Sequence, residues 1–243
     1  MANFKKTMKK IGRHTWEFFK SSLPAALMYF CAGTILMMLT MKEDALQWDG
    51  KKLAWTLVCG IAAAAYNAFL AYAQGGNGYE MLVSGNIKRT SVYDRGGEYK
   101  ISSHKYAREY RPWKGFVIGA FIGIFTILTG IIFGCNQTAI DEKSMGKGVA
   151  VLMIVFFLLS GWSILPFYYM NGSGIYVNYF ASCLFALVPI AVTGGMYIAG
   201  AYGKRRKVIR EQELADRAAA AEAQREKKIN YGGLPGTKPR KRK

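Results

Sequence analysis

The sequence predicts an all-α membrane protein, a compact bundle of about five apolar helices with four to five full crossings. Three observations lead there. Hydrophobic residues form 51% of the 243-residue chain, and they are segregated. Segments 21–41, 53–73, 115–140 and 148–203 hold no Asp, Glu, Lys or Arg. The whole net charge of +18 falls outside them. Charge-free apolar runs of about 18 residues or more read as membrane helices, because about 20 residues span the hydrocarbon layer. Five such runs, at 23–41, 53–73, 116–135, 149–170 and 176–203, leave too little polar surface to cover a soluble core. We expect an integral protein of the plasma (cytoplasmic) membrane.

Residues 1–20 form a basic amphipathic N-terminal helix. Phe4, Met8, Ile11, Thr15 and Phe18 fall along one side, and Lys5, Lys6, Lys9 and Lys10 fall largely elsewhere. Such a helix suits a bilayer surface with anionic headgroups, or serves only as a topology signal. No small-x-small cleavage site follows the first apolar run, so we read that run as retained.

The transmembrane bundle covers 21–203, including the polar loop 74–114. Small residues recur at four-residue spacing on three spans. These are Gly60, Ala64 and Ala68; Gly115, Gly119 and Gly123, continued by Gly130 and Gly134; and Ala191, Gly195, Ala199 and Gly203. In lipid, apolar area does not drive helices together, and close backbone approach at small residues does. We expect these stripes to be helix-packing faces. The fourth span, with its bulky VAVLMIVFFLLS, lacks a stripe and is expected at the periphery.

The loop 74–114 opens on Gly75–Gly78, which lacks the Lys-Ser/Thr ending of a phosphate loop. Its TSVYDRGGEYKIS stretch can form a small β-hairpin, with Arg95-Gly96-Gly97 near the turn. Arg108, Arg111 and Lys114 then alternate with aromatic residues directly before a span, as in an interfacial belt. The tail 204–243 begins with Lys204, Arg205, Arg206 and Lys207 and is rich in Ala, Glu and Arg, hence helical. It turns Gly/Pro-rich and disordered before ending on Lys238, Arg240, Lys241, Arg242 and Lys243. These basic residues are the candidates for binding lipid or a partner.

Of the 33 Lys/Arg, 28 lie in segments 1–20, 74–114 and 204–243, while the loops 42–52 and 136–148 are neutral. The positive-inside rule would place all three basic segments in the cytoplasm. Five full crossings forbid that. The conflict disappears if one apolar run turns back, and 176–203, with Pro189 and Gly194–Gly195 near its middle, is the best candidate; five plain crossings with one basic segment exported is the equal alternative.

No ionisable residue lies within a span, which argues against an ion-coupled transporter. Asn67 is the most polar side chain deep in a span, and we expect it to bond a neighbouring helix. Cys31, Cys59, Cys135 and Cys183 are scattered and read as small hydrophobes. His14 and His104 have no metal-ligand spacing, and neither a cofactor nor a metal is expected. A membrane enzyme would have to draw on Glu80, Asp94, Glu98, Glu109 and His104. The function expected is a non-catalytic integral membrane subunit or scaffold whose basic segments dock a partner or anionic lipid. The alternative is a small permease or channel component for a neutral or weakly charged solute. Expected partners are membrane lipids, anionic above all, and a protein partner or second copy. The tail can also contact RNA or a ribosome.

Overall fold

The structure, a computed structural model, describes residues 2–40, 49–83, 110–141, 144 and 146–231. It comprises two units, Met1–Ala201 and Tyr202–Lys243. Among the described residues, six α-helices follow one another: α1 (Ala2–Thr40), α2 (Gly50–Val83), α3 (Pro112–Cys135), α4 (Gln137–Asp141), α5 (Lys147–Gly172) and α6 (Leu187–Tyr231). A 3₁₀ segment, Tyr179–Ala186, leads into α6. Among the described residues, five helical stretches are long and apolar enough to span a membrane. The chain is therefore an integral membrane helical bundle. The β-hairpin expected at 90–102 lies outside the described residues.

The first unit has two ends. At one end are the amino-terminal half of α1, the carboxy-terminal end of α2 and the start of α3. At the other are Thr40, the start of α2 and the end of α3. α1 runs without a break through the amphipathic segment into the first span. α2 continues ten residues past the expected end of its span, through the GGNG stretch to Val83. Glycine ordinarily weakens a helix, but here tertiary packing compensates. A Cβ on Gly75 would fall on the Tyr197 carbonyl, and a Cβ on Gly200 would fall on the Tyr72 carbonyl. The α2 and α6 backbones touch at this crossing.

α3 and the segment 179–201 are antiparallel along their length. Phe180 packs on Gly134, Cys183 on Gly130, Ala186 on Gly123, Ile190 on Gly119 and Tyr197 on Gly115. The chain thus crosses from the far end to the end where it started, and the first unit closes there at Ala201. The segment 176–203 does not turn back. Pro189 is the third residue of α6, within the first turn, whose N–H groups have no intrahelical partner in any helix.

The helix that turns back is α5. Its backbone leaves helical geometry at Ser160 (φ −140°, ψ 32°). Phe157 and Tyr168 rings lie 6.3 Å apart edge to face, although eleven residues of straight helix would separate them by about 16 Å. The first arm runs down α3, with Phe157 on Phe133 and Ser160 on Thr126. The second arm runs back up along α1. Trp162 packs on Tyr29, Gly161 abuts Gly33, and the Tyr169 hydroxyl bonds Thr40. Both ends of α5 emerge together: Gln137, before it, donates to the Val177 carbonyl, after it, at 3.2 Å. Asn171 donates to the same oxygen at 2.9 Å. Gly174 (φ 80°) lets the chain leave α5, with Ile175 N–H closing on the Met170 carbonyl. A hydrocarbon layer of about 30 Å cannot separate residues that share a hydrogen bond. The apolar bundle therefore contains four full crossings and one re-entrant hairpin.

The expectation of a peripheral fourth span is likewise corrected. Only the outward face of the first arm, with Val151, Leu152, Ile154 and Val155, is exposed. The second arm is core: Ser163, Ile164, Leu165 and Tyr169 are fully buried. Bulk marked the arm as lipid-facing, but bulk also fills the space between α1 and α3.

Candidate functional site: a basic cleft between four helices

The interior is sealed by short-range polar bonds. Ser160 Oγ is 3.0 Å from Thr126 Oγ and 3.1 Å from Ser163 Oγ, and Ser163 donates to the Ser160 carbonyl at 2.9 Å. Thr129 donates to its own Phe125 carbonyl and reaches the Phe156 carbonyl of the first arm at 3.2 Å. Hydroxyls thereby satisfy backbone groups that the break exposes at membrane depth. Asn67 donates to Thr193 Oγ1 at 3.0 Å, which donates in turn to the Pro189 carbonyl. This ties α2 to α6.

At the far end, Lys52 is buried with its ammonium 4.5 Å from the Tyr169 ring centroid, while Thr40 holds the Tyr169 hydroxyl. This cluster clamps the second arm of α5 between α1 and α2.

A cleft of about 490 Å³ opens at the opposite end. α1 supplies Glu17, Phe18, Lys20 and Ser21. α2 supplies Gln74, Asn77, Gly78 and Met81, and α3 supplies Lys114 and Ile118. Tyr197 of α6 completes the lining. Gln74 donates to the Ser21 carbonyl at 3.3 Å, linking two of the walls. Lys114 is only 4% exposed, because Pro112 starts α3 just before it and carries it down into the bundle. Lys20 is exposed, with its ammonium 5.4 Å above the Trp16 ring. Trp16 and Trp113 are themselves exposed at this level, and Trp113 meets Phe18 edge to face. Exposed tryptophans beside lysines mark headgroup depth.

The other sequence-chosen residues are placed as follows. Gly115, Gly119, Gly123, Gly130 and Gly134 all face the 3₁₀ segment and α6. On α2 the buried face is Cys59, Ala63, Asn67, Ala71 and Gly75, one residue round from Gly60, Ala64 and Ala68, and Gly60 meets nothing within 4 Å. On α6 the inward residues are Thr193, Gly194, Tyr197 and Gly200, whereas Ala191, Gly195 and Ala199 are exposed and Gly203 is half-buried. Arg111 is exposed at the lip of α3. In the second unit, Lys204 is half-buried, Arg205, Arg206 and Lys207 are exposed, and all four are helical. The side chains of Lys5, Lys6, Lys9 and Lys10, and all of Arg108, Lys238, Arg240, Lys241, Arg242 and Lys243, lie outside the described residues. Lys20, Gln74 and Asn77 were not singled out from the sequence. The signal available was a set of polar residues at span ends, and nothing in one dimension brings those of α1 and α2 together.

Compared with protein-family models, curated proteins and solved structures, the chain has no significant match.

Proposed function

We propose that the protein is a non-catalytic membrane subunit or scaffold whose basic end docks an anionic partner or anionic lipid. One observation carries this reading: α5 turns back, so the amino terminus, the flanks of the loop 84–109 and the exit at Ala201 share one end of the bundle. With 28 of 33 Lys/Arg in the segments attached there, the positive-inside rule assigns that end to the cytoplasm. The far end carries the neutral loops. The test is purification of the full chain in mild detergent. A stoichiometric acidic partner, or retained anionic lipid, lost when the basic residues of 204–243 and 1–20 are neutralised, supports the reading. A protein that retains neither overturns it.

The re-entrant hairpin supports a second reading, a permease or channel component for an uncharged solute. Broken helices at the midplane often line solute sites, and Ser160, Ser163 and Thr126 supply hydroxyls there. Ser160 and Ser163 are fully buried and bonded to each other, which favours packing over a pathway. Solute flux in liposomes containing the purified protein would reverse that preference.

A further inference from the structure

We infer that the cleft between α1, α2, α3 and α6 is a binding site for the phosphate headgroup of an anionic lipid. This deepens the docking function proposed above and rests on it. Two ammonium groups, Lys20 and Lys114, line the cleft against one carboxylate, Glu17, so its fixed charge favours an anion. Lys114 is a buried charge at the head of a membrane helix, while Lys20 stays exposed at the mouth. Gln74 and Asn77 add amide donors on the α2 wall, the type of group that orients phosphate oxygens.

The walls decide between a lipid and a free anion. Phe18, Met81 and Ile118 line the same cleft, giving apolar surface where acyl chains would start. Its level, marked by Trp16 and Trp113, is where a lipid phosphate sits. A volume of about 490 Å³ falls within the usual range for small-molecule sites. Basic pockets between membrane helices on the cytoplasmic side are suited to anionic headgroups.

The test uses the full-length protein in mild detergent, titrated with dioleoylphosphatidylglycerol, dioleoylphosphatidylcholine or inorganic phosphate and read by native mass spectrometry. Phosphatidylglycerol should bind in preference to phosphatidylcholine. Lys20→Gln should weaken it about 5-fold, and Lys20→Gln with Lys114→Gln about 30-fold, one charge contact each. Lys20 and Asn77 are exposed, so Lys20→Gln and Asn77→Leu keep the test valid if the Lys114 variant fails to fold. Neutralising Lys238, Arg240, Lys241, Arg242 and Lys243 should leave the cleft-bound lipid in place. If only that tail variant loses phosphatidylglycerol, the cleft site is refuted while docking by the basic end survives. If the wild-type protein binds no anionic lipid, the cleft site is refuted, and the acidic-partner arm of the docking function is then decided by the co-purification above. Inorganic phosphate that displaces phosphatidylglycerol at equal concentration would make this a free-anion site and overturn the lipid assignment.

Discussion

α5 and α6 are both long, apolar and interrupted by the residues that weaken helices, yet α5 reverses at mid-depth and α6 crosses. α6 has Pro189 and two adjacent glycines, whereas α5 has Ser160-Gly161 and Pro166. The difference lies in position and in neighbours. Pro189 occupies a first turn, where a missing N–H leaves no hole. Gly194 packs on the Phe116 ring and Gly200 on the Tyr72 carbonyl, so these two glycines are places where other helices press and keep α6 straight. Ser160 has Thr126 and Ser163 hydroxyls to bond it, and Gly33 leaves room for the turn. Without a side chain there, the Trp162 and Gly161 amide nitrogens approach within 3.0 and 3.2 Å of where its Cβ would be. Ser/Gly pairs are recognised sites of sharp kinks. A helix breaks where the surrounding bundle supplies partners for a break.

The largest effect should come from Gly75→Leu or Gly200→Leu, which drive a side chain into an opposing backbone carbonyl that cannot move aside. Overpacking of this kind costs about 1–3 kcal/mol or more. Melting of the detergent-solubilised variants should fall sharply, and wild-type melting in both would show that α6 does not need this crossing to stay straight. Gly33→Leu should come next, at about 1–3 kcal/mol, because it fills the seat of the α5 turn. Wild-type stability there would mean that the turn is not held by α1. Thr126→Val, which removes a bond to the turn, should cost about 1 kcal/mol. Asn67→Leu, the corresponding polar tie of α6, should cost about 0.6 kcal/mol, the average for hydrogen bonds between membrane helices. Comparing these two by thermal unfolding asks which helix depends more on its polar bonds. Gly195→Ala should be the mildest, neutral or slightly stabilising, because the site opens on empty space and alanine is the better helix former. A marked loss of melting temperature would place another molecule against that face.

The apolar runs and the α3 glycine stripe were legible in the sequence, because lipid demands long charge-free helices and small residues where helices touch. The reversal of α5 was not. Hydropathy counts residues without direction, and an apolar hairpin of two short arms scores like one crossing. The Ser160-Gly161 pair followed by Ser163 was the available signal, overshadowed by the more conspicuous proline and glycines of α6. The inward faces of α2 and α6 are hard to read from sequence for a related reason. Around Gly60 and Gly195 every side of the helix is apolar, so no polar stripe distinguishes the lipid side from the core side. The cleft was hidden because Lys20, Gln74, Lys114 and Tyr197 are far apart in the chain and come to line one cleft only once four helices are assembled. The charge distribution, by contrast, carried part of the answer: three basic segments on one side need a span that turns back, but the same charges also allow five crossings with one basic segment exported, and the proline and glycines of 176–203 pointed to the wrong span.

The most direct test of this topology is the side of the membrane on which each end of the chain lies. Single cysteines in a background lacking the four native ones, at Thr7, Ser91 and Ala219, should share one accessibility to a membrane-impermeant maleimide. All three should be protected in intact cells and labelled after permeabilisation. A cysteine at Ser144, between the ends of α3 and α5, should react in intact cells, as should one at Ser173, just past α5. Labelling of Ala219→Cys in intact cells, with Thr7→Cys protected, would mean five full crossings and would contradict the re-entrant hairpin.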